Sequence, residues 1–203
     1  MRQRPVIHST LGTDSRDSTS TMTEDEALML AIQSGDSRAY ESAVRKHIKA
    51  ISHYAFRMLG NSKDVEDITQ ETLLRLWTHA DSWQPGKAGV STWLHRIAHN
   101  LCIDYLRKDR SGITGELTED IETDDDPSLA PGKEADLQSL QKALDALPER
   151  QRSALILSHY QGFSNKEIAQ MMDISVDALE SILARARRGL KARLIRNAPA
   201  ESV

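Results

Sequence analysis

LPERQRSALILSHYQGFSNKEIAQMMDISVDALESILARARRGLKARL, from Leu147 to Leu194, is the stretch that decides the fold. Gly162 closes one helix, and Ser164 with Glu167 forms an S-x-x-E capping box that opens the next, with Ile168, Ala169 and Met172 on one side. Asp173, Ile174 and Ser175 make a short turn, and Ser175 caps a long final helix. At about 3.6 residues per turn, Val176, Leu179, Leu183, Ala186 and Leu190 stack in one stripe, whereas Asp177, Ser181, Ala184, Arg185 and Arg188 point away from it. That outer face is small near its start and cationic toward its end, with six Lys or Arg and no acid between Ile182 and Arg196. A helix lying in the major groove needs this arrangement, with short polar side chains beside base edges and arginines reaching phosphate or guanine. The spacing therefore predicts a helix-turn-helix that contacts DNA.

The 203 residues suit one ordinary domain or two small helical ones, and 28% charged with 39% hydrophobic residues describes a soluble globular protein. Net charge is −4, so affinity for nucleic acid has to come from local patches. Charge is segregated, with nine acids against the single Lys133 between Ser111 and Asp136. The lone Cys102 excludes an internal disulfide, and no apolar run approaches the ~20 residues of a membrane span. No membrane insertion and a cytoplasmic location are expected. Residues 1–22 are rich in Ser, Thr and Asp and read as a disordered tail, with Met22 a second candidate start.

Residues 23–110 carry helical apolar periods and no sustained strand-like alternation, so an all-α bundle is expected. A short helix ends near Gly35, Asp36 caps a long one running to Leu59, and Gly60-Asn61 stops it. A third helix is expected from Ser62 to His79, with Val65, Ile68, Thr72 and Leu76 inward and Asp64, Asp67, Glu71 and Thr78 outward. After the Trp83–Lys87 loop, a fourth starts at Ser91 or Thr92 and runs to Lys108, with Leu94, Ile97, Leu101 and Tyr105 as its buried stripe. Its other side shows Trp93, Arg96, Asn100 and Arg107, groups suited to stacking on unpaired bases, reading a base edge and holding phosphates. Residues 111–136 form an acidic linker, 137–197 the helix-turn-helix domain and 198–203 a tail.

His95, His99 and Cys102 fall at i, i+4 and i+7 on one helical flank, a spacing that could offer three metal ligands. No Glu follows His95, so the H-E-x-x-H pattern fails, and no fourth ligand is evident. Without G-x-S-x-G, Walker or dinucleotide fingerprints, no metal, cofactor or catalytic residue is assigned and no enzyme activity is expected.

Three segments in order, DVEDITQETLLRLW (Asp64–Trp77), STWLHRIAHNLCIDYLRK (Ser91–Lys108) and the C-terminal stretch, resemble bacterial sigma factors of the extracytoplasmic-function group, the dissociable promoter-recognition subunits of RNA polymerase. The resemblance covers about residues 24–196 and implies a promoter-melting helical domain, a linker and a C-terminal helix-turn-helix domain. By resemblance, Asp64, Asp67, Gln70, Glu71 and Arg75 dock on the β′ clamp coiled coil of core polymerase, and the C-terminal domain meets the β flap. Lys87, Thr92, Trp93, Arg96, His99, Asn100 and Arg107 would recognise and open the −10 element. Ser164, Lys166, Asp177, Glu180, Ser181, Arg185 and Arg188 would serve the −35 element, with Ser164 and Lys166 on phosphates. An anti-sigma factor is the further partner implied. Two positions depart from the family pattern: His99 stands where an arginine is customary, and Glu180 replaces a basic contact in the recognition helix. A helix-turn-helix regulator that binds DNA without polymerase is the competing reading.

Overall fold

The structure is a computed structural model that describes residues 22–60, 63–110 and 133–197. The N-terminal tail, the body of the acidic linker and the C-terminal tail lie outside the described residues, as do Asn61 and Ser62.

Each helix boundary has a local cause. Thr23 and Glu26 close a capping box on α1 (Glu24–Gln33), and the Asp36 carboxylate accepts from the amides of Arg38 and Ala39 to start α2 (Ser37–Leu59). Gly60 ends α2 at φ 73°, a left-handed value that a side chain would strain. Helix α3 spans Asp64–Thr78, and a 3-10 turn at Ala80–Ser82 leads to the Trp83 loop. Helix α4 runs Val90–Arg110, longer at both ends than the Ser91–Lys108 expected.

Helix α5 begins at Lys133 and runs to Asp145, so it starts inside the stretch read as linker. Helix α6 (Glu149–His159) follows Pro148, and α7 (Asn165–Met172) carries the Ser164–Glu167 capping box read from the sequence. Asp173 turns the chain at φ 54°, and the Ser175 hydroxyl accepts from the Ala178 amide at 3.2 Å to start α8 (Val176–Asn197). The described residues are helical and turn in structure, as the all-α reading requires.

Helices α1 to α4 enclose Met29, Ile51, Tyr54, Met58, Leu76 and Leu94, each fully buried. Helices α5 to α8 enclose Leu144, Ile156, Leu157, Ile168 and Leu179 in the same way. The two sets join in one continuous core, because α6 and α7 pack against α2 and α4. Six successive α6 residues, Arg152 to Leu157, are buried, which marks a helix covered on all sides. One side of α6 meets α8 and the other meets α2.

The buried face of α4 differs from the one expected. Leu94 is fully buried, but Ile97, Leu101 and Tyr105 are half-buried, and the centre of the face is His95, Ala98, His99 and Cys102. The physical reason is the second helical unit. It covers the flank of α4 that a single bundle would leave to solvent.

Candidate nucleic-acid interface

On α8, Leu179, Leu183 and Ala186 are buried and Leu190 half-buried, while Val176 at the start is exposed. Asp177, Glu180, Ser181, Arg185 and Arg188 are all exposed on the outer face. Arg185 Nε donates to the Ser181 carbonyl at 3.1 Å, which folds its guanidinium back along its own helix. Small and acidic groups come first and guanidiniums follow, so the first turns offer short side chains of the kind that reach base edges and the later turns offer cations.

Lys166 is exposed at the first turn of α7. Ser164 is committed elsewhere. Its hydroxyl donates to Glu167 Oε2 at 2.6 Å and accepts the Glu167 amide at 3.4 Å. Those contacts, with the Ser164 hydroxyl as the largest cause, hold the Glu167 carboxyl below its ordinary range. A phosphate at this helix start would meet a carboxylate already there.

The melting helix divides into two faces. Arg96, Asn100 and Arg107 are exposed, with Arg107 Nη1 at 3.8 Å from Asp104, and Trp93 is half-buried against the core. Lys87 is exposed in the preceding loop. Thr92 and His99 lie on the adjoining flank, 3% and 6% exposed. Thr92 donates to Glu167 Oε1 at 3.2 Å, and His99 Nδ1 lies 2.9 Å from Ser153 Oγ and 3.2 Å from Tyr54 Oη. The sequence set of −10 candidates is therefore not one surface: five face outward or flank the loop, and two are engaged with α6, α7 and α2.

Burial holds His95 and His99 at about 4, far below an ordinary imidazole, and pushes the Cys102 thiol up to about 12. The three do not converge as ligands: His95 Nδ1 contacts the Ser91 carbonyl at 2.8 Å while His99 Nδ1 faces the two hydroxyls. Among the described residues no group of three His, Cys, Asp or Glu is placed to hold a metal ion, so the metal reading of this flank is withdrawn.

On α3, Ile68, Thr72 and Leu76 are buried and Val65 half-buried, as the spacing predicts. Asp67 and Gln70 are exposed, and Asp64, Glu71 and Arg75 half-buried. Arg75 Nε donates to Glu71 Oε1 at 2.7 Å, one turn along the helix. The structure adds two residues that the charge pattern hid. Leu74 is 52% and Trp77 39% exposed, both on the face of Asp67, Gln70 and Glu71. Tyr40 stacks edge-on against Trp77 at 5.3 Å, fixing the ring from behind. Two exposed large apolar groups one turn apart were the available signal.

Residues 43–112 match Sigma-70 region 2, and residues 137–190 match Sigma-70 region 4. The ECF RNA polymerase sigma factor SigM of Mycobacterium tuberculosis is 33% identical over 171 residues, 84% of this chain and 84% of that protein. The chain belongs to the ECF RNA polymerase sigma factors. SigE of Mycolicibacterium smegmatis is 35% identical over 75% of this sigma-factor chain and 60% of its own length, and SigG of M. tuberculosis is 34% identical over 48% of its length. The chain thus spans about half to three-fifths of those two relatives. Among solved structures, CnrH in complex with the cytosolic domain of CnrY aligns at TM-score 0.66 and 26% identity, over 86% of this chain and 99% of that one. RpoE in complex with the anti-sigma factor NepR from Bartonella quintana aligns at 0.63 and 26%, over 79% and 98%. Among the described residues, no helix is long and apolar enough to cross a membrane.

Proposed function

We propose that this chain is a promoter-specificity subunit: it binds core RNA polymerase and directs initiation by recognising a −35 element and recognising and melting a −10 element. What carries the reading is the pairing, in one chain and in family order, of a region-2 unit with an exposed acidic and apolar strip and a region-4 unit with an exposed basic helix.

In this reading Asp64, Asp67, Gln70, Glu71 and Arg75 steer the chain onto the β′ clamp coiled coil, and Leu74 with Trp77 supplies the apolar anchor that charge alone lacks. The region-4 unit contacts the β flap. Lys87, Trp93, Arg96, Asn100 and Arg107 handle the −10 strand, with Thr92 and His99 joining them once uncovered. Asp177, Glu180, Ser181, Arg185 and Arg188 read the −35 element, and Lys166 contacts phosphate. Domain limits near 23–110 and 137–197 follow, with α5 extending the second unit back to Lys133. The chain acts in the cytoplasm, has no catalytic residue of its own, and is controlled by an anti-sigma factor.

A stand-alone regulator has no use for the α3 strip. Association with core polymerase is the test: the chain should co-elute with core at stoichiometric ratio, and charge reversal at Asp67 and Glu71 should weaken that association. Failure to bind core at any salt concentration would sink the proposal.

A further inference from the structure

Residues 83–89 join the 3-10 turn to α4 and carry Lys87, one of the groups assigned above to the −10 strand. Gln84-Pro85-Gly86-Lys87 is a tight turn within them. The Lys87 amide donates to the Gln84 carbonyl at 3.3 Å, Pro85 presets its own backbone angle, and Gly86 takes φ 76°, the pattern of a type II turn. All four residues are exposed, so the turn has no core packing of its own to hold it.

Its hold comes from the residues beneath. Trp83 is 3% exposed, and each of its polar groups is engaged. Its amide donates to the Ala80 carbonyl at 3.0 Å, its indole Nε1 donates across the loop to the Ala88 carbonyl at 2.9 Å, and its carbonyl accepts from Gln33 Nε2 at 3.0 Å. Gln33, the last residue of α1, directs the same nitrogen to the Ala80 carbonyl at 2.9 Å. An amide nitrogen carries two hydrogens, and here both serve one loop, 47 and 50 residues away along the chain. The reversed amide would set an oxygen against two carbonyls, so only the donor orientation fits. The Trp83–Ala88 bond ties the two ends of the turn together, and Gln33 ties the near end to α1. Gln170 on α7 also donates to the Lys87 carbonyl at 3.2 Å, but the brace itself lies wholly within the region-2 unit.

We propose that Gln33 and Trp83 are positioning residues for promoter opening: without touching DNA, they hold the Gln84–Lys87 turn in the shape in which it meets the −10 strand. The inference rests on the promoter reading above and adds to it two residues, one of them on a helix with no −10 candidate. A loop ordered beforehand gives up less freedom when it grips a strand, so it binds more tightly. It also discriminates better, because a slack loop adapts to the wrong base as readily as to the right one. The brace thus acts on which −10 bases are accepted as well as on how firmly they are held.

Two variants test this. Gln33→Met, close in size and without donors, removes two of the hydrogen bonds, and Trp83→Phe keeps a buried ring and removes one. Trypsin cleavage after Lys87 in the free full-length chain reads the order of the loop, because a protease takes such a site only after local opening. Cleavage should quicken about fivefold in Trp83→Phe and on the order of 20-fold in Gln33→Met, at roughly fivefold per neutral hydrogen bond. Cleavage after the exposed Lys191 should stay unchanged. With core polymerase, transcription from promoters that differ by one −10 base at a time gives the second reading. Both variants should compress the parent's discrimination among −10 bases several-fold, while −35 preference and core affinity hold. Unchanged cleavage after Lys87 in both variants overturns the brace. Quicker cleavage with output unchanged, or lowered equally at every −10 sequence, overturns the positioning role and leaves the two residues as supports of the fold. A parent chain that starts no transcript at all defeats the promoter reading, while the cleavage rates still decide the brace.

Discussion

Lowering the pH from about 7 to about 5 should destabilise the folded chain by roughly 4 kcal/mol through His95 and His99 alone. Both rings are held at about 4 by burial, against an ordinary value of 6.5. Secondary causes differ: the Ser91 carbonyl pulls His95 upward, and the Arg150 charge pushes His99 further down. The folded state therefore prefers the neutral rings, while the unfolded chain takes up protons as soon as the pH falls through the ordinary range. Stability from these groups is complete above pH 6.5 and is lost progressively down to about 4. At pH 5 each ring costs about 2 kcal/mol, and the local slope is roughly 2–3 kcal/mol per pH unit for the pair. His47, lowered mainly by burial, adds in the same direction, and Asp145, raised by burial, works in the opposite one. Urea denaturation at several pH values reads the slope. His99→Gln, which keeps a hydrogen-bonding group beside Ser153 and Tyr54 without a titrating ring, should remove about half of the slope. A flat profile between pH 7 and 5, or an unchanged slope when both histidines are replaced, would refute the reasoning.

Arg152 is 7% exposed, donates to the Met58 and Asp145 carbonyls, and lies 3.1 Å from the Asp145 carboxylate. Arg152→Met should cost about 3 kcal/mol, near the lower end for a buried charge because Asp145 remains half-solvated, and thermal unfolding should drop by about 6–12 °C. Leu74→Ala should weaken core association several-fold with little change in melting temperature, since its side chain is mostly exposed. Arg185→Ala and Arg188→Ala should each lessen the slope of log affinity against log salt for a −35 duplex by about 1 where the residue contacts phosphate. An unchanged slope in both would move the DNA contact off the outer face of α8.

Local chemistry made most of the elements readable. The Asp36 cap, the Ser164–Glu167 box, the Gly60 and Gly162 stops and the α8 stripe each depend on residues within about one turn, so a linear reading reaches them. The α4 face was misread because its cover comes from far along the chain: Ser153 lies 54 residues from His99, and Glu167 lies 75 from Thr92. Histidine and cysteine carry weak periodic signals, whereas Ile97, Leu101 and Tyr105 carry strong ones, so the stripe was placed beside its true centre. The run RSALIL in α6 did hold a trace of the answer. Its Ala154–Leu157 stretch is apolar right round the helix, so it needed partners on two faces.

The site divided along the same line. The α8 set and the outer face of α4 were legible because exposure follows from each helix's own period. Thr92 and His99 were not, because their partners lie in the other unit. Leu74 and Trp77 were passed over because the surrounding acids dominate the composition of α3.

Initiation by a reconstituted holoenzyme tests the central claim most directly. Cognate core polymerase combined with this chain should produce promoter-dependent transcripts from a genomic fragment library, while core alone should not, and the free chain should bind the same promoter duplexes weakly. Transcript output no higher than that of core alone, or tight sequence-specific duplex binding by the free chain, would contradict the account.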